Sequence, residues 1–305
     1  MLGLLTQNEM ISKKLRMKHV CAVVVTYHPD KAFLDRFAVI AQQVGRIVIV
    51  DNGSDPVVVE MLNRFCLRSN VQLILNEDNL GIATALNQGM RFAKSQGYRW
   101  VLTFDQDTVP SDKMVETLLG TYATFDQKEK LAVLGSNYRI ENNGEARPSE
   151  TDERYSWIEK KIVITSGSLM SIAAFDVIGP FRGGFFIDHV DTEYCLRARS
   201  KGFKIILTRI PIMHHAIGAA STHLLLWKRM GTTNHSSLRR YYNTRNLFVL
   251  VREYFFREPI WAFATLYSWA KAIVLICLFE QERLTKLKAM ASGVLHGLSS
   301  DFDDR

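Results

Sequence analysis

Two carboxylates stand two residues apart in Asp105-Gln106-Asp107, directly after the apolar run Trp100-Val101-Leu102-Thr103-Phe104. A buried strand that breaks into an acidic loop suits a hard divalent cation. Such an ion takes oxygen ligands and keeps positions for substrate phosphates. The same pattern suits a solvated turn, so its surroundings have to decide. A second acidic cluster, Asp188-His189-Val190-Asp191-Thr192-Glu193, follows Phe185-Phe186 and leads into a helical pattern. Acids at a helix start are stabilised by its dipole. Equally, a carboxylate on a rigid helix start suits removal of a proton from an attacking hydroxyl. His214-His215 follows a strand and offers His215 either as a metal ligand or as a satisfied structural histidine.

Three further groups flank these clusters. Asp51 closes the run Arg46–Val50. Its carboxylate can accept the imide N–H of a pyrimidine base, or serve the turn before the helix after Pro56. In Asn79-Leu80-Gly81-Ile82-Ala83, Gly81 and Ala83 let a helix start approach a ligand closely. Asn87 and Gly89 are poor helix formers inside that helix, so a local reason is expected; tight helix–sheet packing is the alternative to a ligand. Arg239, Arg240, Arg245, Arg252 and Arg257 punctuate a helical stretch from Leu238. They suit phosphate groups or a solvated basic face.

The elements that position these residues follow from the hydrophobic pattern. Val20–Thr26, Arg46–Val50, Val71–Leu75, Tyr98–Phe104 and Leu131–Ser136 read as strands. Asp30–Gln43, Pro56–Arg68, Leu80–Ser95 and Pro110–Thr124 read as the intervening helices, the last opened by Pro110-Ser111-Asp112. Alternation of this kind implies a parallel sheet covered by helices on both faces, with ligands beyond the carboxyl ends of the strands. Thr26, Asp51, Asn76 and Asp105 all fall at such ends. Residues 137–160 read as a loop, with regularity resuming at Lys161–Thr165. A helix is expected from about Asp191, a strand at Phe203–Leu207, an irregular His-rich stretch over Thr208–Ser237, and helix almost throughout Leu238–His296.

Composition narrows the function classes. The chain has 305 residues, 47% apolar and 23% charged, which is enough for a full globular core. A net charge of +7 favours anionic partners. Cys21, Cys66, Cys195 and Cys277 form no C-x-x-C pair and read as reduced core residues of a cytosolic protein. Leu2–Leu5 is too short for a secretory signal; residues 1–16 read as an unpacked extension, with Met17 as an alternative start. The turn after the first strand, Thr26-Tyr27-His28-Pro29-Asp30, holds no glycine. A dinucleotide-binding fingerprint and a P-loop are therefore both excluded, and a metal is the simplest remaining holder of phosphates. From Pro259 to Phe279 the only charge is Lys271. That stretch suits a helix in a membrane interface, a buried domain helix, or a span. Its aromatic residues do not form a stacking platform, so no nucleic acid is expected.

Taken together, Val24-Val25-Thr26-Tyr27, Val50-Asp51-Asn52-Gly53-Ser54, Asn79-x-Gly81-x-Ala83-x-Ala85-x-Asn87-x-Gly89 and Asp105-Gln106-Asp107 resemble inverting glycosyltransferase family two, with its GT-A fold. Phe186–Arg197 and Arg239–Asn246 are similar to the bacterial rhamnosyltransferase branch, and the resemblance spans roughly residues 18–300. It implies a GT-A-like α/β fold: a mostly parallel nucleotide-binding sheet flanked by helices, with a C-terminal helical region. The expected division is an extension at 1–16, a catalytic domain at 17–237 and a membrane-associating helical region at 238–305. The resemblance further implies Thr26, Tyr27 and Asp51 at the base and ribose, Asp105 at the ribose or metal, and Asp107 with His215 at Mg2+ or Mn2+. Asn79, Gly81 and Arg245 would complete the donor site, and Asp191 would be the catalytic base. Many relatives carry an acidic pair where Val190-Asp191 stands, which leaves Asp188 and Glu193 as rival bases. The implied reaction moves L-rhamnose from dTDP-L-rhamnose to a polyprenyl-diphosphate-linked glycan, as in O-antigen synthesis. The implied location is cytoplasmic, peripheral on the inner face of the cell membrane. UDP-galactofuranose as donor, or a non-catalytic nucleotide-sugar or glycan-binding module, are the alternatives. A module without catalysis has no need of a base such as Asp191.

Overall fold

A computed structural model describes residues 17–67, 70–139, 156–214, 221–225, 228–232 and 234–299. The expectations for residues 1–16 and for His215 lie outside the described residues. The chain divides into two compact units: Met1–Phe181 with Tyr194–Ala216, and Arg182–Glu193 with Ile217–Arg305.

The first unit is built on β1 (Val20–Thr26), α1 (Phe33–Ala41), β2 (Arg46–Asp51), α2 (Pro56–Cys66), β3 (Val71–Leu75), α3 (Ile82–Ser95) and β4 (Trp100–Asp105). β5 (Val109–Pro110), α4 (Met114–Thr124), β6 (Leu131–Arg139), β7 (Trp157–Glu159), β8 (Ser168–Ser171), α5 (Ile172–Ile178), α6 (Val190–Ser200) and β9 (Lys204–His214) follow; the first turn of α6 groups with the second unit. The nine-stranded sheet runs β3-β2-β1-β4-β8-β6-β9-β5, with β7 on β9. The half β3-β2-β1-β4 is parallel, as the β-branched runs require. β8 then enters antiparallel between β4 and β6. A short polar-flanked strand of this kind carries no long apolar signal.

Alternate residues of β1 face two different helix layers. Val20, Ala22 and Val24 join Phe33, Phe37 and Ile40 of α1, Leu62 of α2, and Met114 and Leu118 of α4 in one core cluster. Phe37 packs between Phe33 and Phe104, with ring centroids 4.8 and 5.5 Å away. The opposite face takes α3, which comes so close that a Cβ on Gly89 would lie 2.3 Å from Val23 Cγ1. Gly89 therefore serves helix–sheet packing, not a ligand. Gly89→Ala is expected to destabilise the fold by about 1–3 kcal/mol through overpacking, read as a lower denaturation midpoint.

Several local expectations are corrected. Pro110 does not open α4; it pairs with Met213 in the β5–β9 ladder, and the helix starts at Met114 with Lys113 as its uncapped N-cap. Lys161–Thr165 forms no strand, while Trp157–Glu159, inside the expected loop, does. The stretch expected to be irregular holds regular structure among its described residues: β9 runs on to His214, and β10 (Ser221–Leu225) pairs antiparallel with β11 (Lys228–Thr232) in the second unit. Cys21 and Cys195 are buried, with burial pushing the Cys21 thiol up to about 12, but Cys66 is half-buried and Cys277 is exposed. All four are free thiols.

The second unit is mainly α7 (Ser237–Tyr254), α8 (Pro259–Phe279) and α9 (Arg283–Ser299). α9 packs closely on α7, because Gly293 and Gly297 leave room for its backbone: a Cβ at Gly297 would meet Arg245 O at 2.6 Å. A buried ion network ties the three helices. Glu280, at the end of α8, accepts from Arg240 Nη2 at 2.6 Å and from Lys286 Nζ at 3.0 Å. Lys286 also donates to Asn234 Oδ1 at 2.7 Å.

Candidate active site

The parallel ladder brings the expected donor residues of the first unit to one sheet edge. Thr26 pairs in register with Asp51, and Val25 with Asp105. The strand order reverses between β1 and β4, so the loops that follow them diverge; in such sheets this is where ligands bind. Asp51 is fully buried, and its carboxylate accepts from Thr26 Oγ1 at 2.7 Å, Ser54 Oγ at 2.7 Å and Ser54 N at 2.8 Å. That makes Asp51 the organiser of the Asp51–Ser54 turn. Asp55, not Asp51, caps α2, accepting from Val57 N and Val58 N at 3.0 Å.

Gln106, between the two acids, carries no chemical signal of its own in the sequence. It holds the acidic loop against the loop after β1. Tyr27 N donates to Gln106 Oε1 at 2.8 Å, and Gln106 Nε2 donates to Tyr27 O at 3.2 Å. Arg36 adds a bond to Gln106 O at 3.0 Å. With the loop fixed this way, Asp105 is half-buried, Asp107 is exposed to solvent, and the Tyr27 ring is exposed beside them. Among the described residues no three His, Cys, Asp or Glu side chains gather as a closed metal cage. An Asp105–Asp107 loop fits the other mode of binding, in which one or two carboxylates share Mg2+ or Mn2+ with substrate phosphates.

An amide network, also unforeseen, lines the ends of β2 and β3. Asn76 Nδ2 donates to Asn52 Oδ1 at 2.9 Å and exchanges bonds with Gln88 at 3.0 and 2.7 Å. Asn52 Nδ2 reaches Gly81 O at 3.2 Å, and Gly81 N donates to Asn79 Oδ1 at 3.0 Å. Gly81 holds φ +83° as N-cap of α3 with no side-chain cap, a conformation that favours glycine. The first turn of α3 therefore leaves backbone N–H groups without a side-chain cap. Asn87 has its own explanation: its amide clamps the Phe181 backbone through bonds of 2.7 and 2.8 Å.

In the second unit the acidic cluster is sorted by its partners. Asp188 is spent on a bidentate ion pair with Arg239, at 2.9 and 3.2 Å. Glu193 is fully buried. Asp191 is partly accessible. Its Oδ1 accepts from Thr192 N at 2.7 Å and Thr192 Oγ1 at 3.3 Å. Its Oδ2 has no protein partner among the described residues. Crowding by protein atoms pushes the Asp191 carboxyl above the usual carboxylate range, outweighing the Thr192 bonds and His189. The same burial holds His189 below its ordinary value, so its imidazole is neutral at pH 7.

The backbone that presents Asp191 is unusual. Asp188 and His189 both adopt left-handed φ, at 64° and 61°. Non-glycine residues hold that region only when neighbours over-determine it. Those neighbours are on α7. Asn246 Nδ2, fully buried, donates to Ile187 O at 2.9 Å and Asp188 O at 3.0 Å. Arg245 donates to Gly184 O and to Asn246 Oδ1, and its guanidinium lies 4.8 Å from the Tyr242 ring centroid. The arginines of α7 thus form neither a solvated face nor an open cluster. Arg239 and Arg245 brace the acidic loop, Arg240 binds Glu280, and Arg252 donates to Leu298 O. Asn246 lay inside the motif that carries the resemblance, but nothing in its sequence context pointed to this role.

The sequence profile of Glycosyl transferase family 2 matches residues 21–187. The chain belongs to this family. It is 29% identical to the dTDP-rhamnosyl transferase RfbF of Shigella flexneri over 248 residues, which cover 77% of this chain and 80% of that protein. It is 27% identical over 128 residues to the glycosyltransferase GlyG of Streptococcus pneumoniae, covering 41% and 40%. Among solved structures, TarS residues 1–349 of S. aureus in complex with UDP-GlcNAc superposes with a TM-score of 0.56 at 13% identity, covering 92% of this chain and 81% of that one. The mannosyltransferase PcManGT of Pyrobaculum calidifontis, in complex with GDP-Man and Mn2+, gives 0.54 at 15% identity, covering 93% and 81%. These structural likenesses show a shared GT-A-like fold. The chain is a glycosyltransferase with a rhamnosyltransferase homologue.

Proposed function

We propose that this glycosyltransferase moves L-rhamnose from dTDP-L-rhamnose, with inversion, to a hydroxyl of a polyprenyl-diphosphate-linked glycan. The choice of donor is carried by the likeness to RfbF across most of both chains. Tyr27 and the Thr26–Asp51 pair would take the thymine and ribose. Because Asp51 is already saturated on three sides, it would act chiefly by shaping that turn. Asn79, Gly81 and the open first turn of α3 would face the diphosphate. Asp107, with Asp105 and His215, would hold Mg2+ or Mn2+, which when bound neutralises charge on the leaving diphosphate. The acceptor hydroxyl gives its proton to Asp191 Oδ2 as it attacks the anomeric carbon from the face opposite the leaving group. Asp188 and Glu193 are poorer bases, one committed to Arg239 and the other buried. In this reading Arg245 supports the acidic loop.

A thermal-shift panel of dTDP, UDP, GDP and NAD, with and without Mn2+, tests the donor. Stabilisation by dTDP that grows with Mn2+ supports it; preference for UDP moves the donor to a UDP-sugar such as UDP-galactofuranose. Asp107→Ala is expected to remove the Mn2+-dependent part of the dTDP shift. An unchanged metal titration would exclude Asp107 from the metal site.

A further inference from the structure

α8 turns its apolar residues outward. Ile260, Phe263, Tyr267, Val274 and Leu278 are 79%, 62%, 73%, 54% and 48% exposed, and their spacing puts them on one stripe. Exposed Lys271 occupies the remaining position of that stripe, and Phe256, in the turn before α8, is exposed as well. The other side of α8 is packed within the second unit. Ala262 and Ile276 are buried, and Trp269 Nε1 donates to Thr244 Oγ1 at 3.2 Å. α8 is long and apolar enough to cross a membrane: an 18-residue stretch of it has a mean hydropathy of 1.8, yet only 17% of that stretch is buried. A contiguous apolar stripe of this size marks an interaction surface.

We propose that this stripe docks the protein on a bilayer surface with anionic headgroups, α8 lying in the interface without crossing it. Charge favours that occupant. No acid occurs from Pro259 to Phe279, Lys271 stands in the stripe, and exposed Arg257, Arg283 and Lys288 before and after it outnumber exposed Glu282. A lysine in such a place lays its methylenes on the apolar surface and carries its ammonium to the headgroups. A second copy of the chain fits worse. Lys271 is near the middle of α8, so parallel or antiparallel self-pairing brings two desolvated ammonium groups together. Crossing fits worse still, because it would carry the charged faces of α7 and α9 toward hydrocarbon. As a docking surface for a transferase with a lipid-linked acceptor, the inference rests on that reading.

The test is flotation of the full chain with phosphatidylglycerol–phosphatidylethanolamine vesicles and with phosphatidylcholine vesicles. The chain should rise with the anionic vesicles and much less with the neutral ones. Ile260→Ser with Tyr267→Ser should lower the bound fraction about tenfold or more without lowering the melting temperature, since both side chains are exposed. Lys271→Glu should weaken binding to anionic vesicles alone. A chain that stays below both vesicle types overturns the proposal, as does a double variant that floats like the parent. Dimers in sedimentation equilibrium without lipid that dissociate on the same substitutions would assign the stripe to a second copy. Resistance to carbonate extraction would assign it to a span. Nucleotide binding is read separately: a chain that binds dTDP but does not float loses only this inference, and one that floats without binding nucleotide loses only the functional reading.

Discussion

Asp191→Asn is expected to lower transfer by about 10²–10⁴-fold while donor affinity stays within about twofold. Asn keeps the shape and can still accept from Thr192 through its oxygen, but it cannot take a proton. A large loss of donor affinity instead would place Asp191 in donor binding. The pH dependence follows from the raised carboxyl. A base must be ionised, so the acid limb of kcat/KM should rise through a pKa above the ordinary carboxylate value. The same shift affects stability with a definite sign. Between its unfolded and folded pKa values the native state holds the extra proton, and the associated stability is lost as pH rises through the folded value. Ionised Asp191 therefore costs the fold free energy that Asn does not. The variant should melt above the parent at alkaline pH, and the two should converge well below the ordinary carboxylate value of 3.8, where both states are protonated. A variant less stable than its parent at the higher pH would contradict the burial of this carboxyl.

Glu280→Ala is expected to destabilise the second unit by about 3–5 kcal/mol. The Glu280 carboxylate is 1% exposed and answers two cations, Arg240 and Lys286, that are themselves 10% and 4% exposed. Removing it takes the Glu280 counter-charge away from both buried cations, and that penalty exceeds the worth of the lost bonds. Urea unfolding followed by tryptophan fluorescence reports it directly, since Trp261 and Trp269 lie on the helix that Glu280 ends. A matched comparison is Asp176→Ala, which breaks the exposed Lys94–Asp176 pair and should cost at most about 1 kcal/mol. Equal losses from the two variants would mean that the buried network is as well hydrated as a surface pair.

Much of the parallel half of the sheet was legible along the chain. VCAVVVT and RIVIVD are continuous apolar runs, and such runs form strands buried on both faces whatever follows them. Gly89 and Asn87 stood out as misfits in a helix, but their reasons, contact with Val23 and a clamp on Phe181, involve residues distant in sequence. β8 and the β10–β11 hairpin were missed because short strands take their stability from neighbours and carry little periodicity of their own.

The sequence by itself determined the kinds of chemistry available: carboxylates at strand and helix ends, no glycine-rich phosphate loop, and a long apolar helix with a single lysine. These depend on residue type and local spacing, which the chain carries in one dimension. Only the tertiary structure decided how each acid of the second cluster is bonded and buried, that Gln106 and Asn246 hold the loops carrying Asp107 and Asp191, and that α8 turns its apolar stripe outward. Hydrogen-bond saturation and burial are properties of neighbours in space, and no local pattern encodes them.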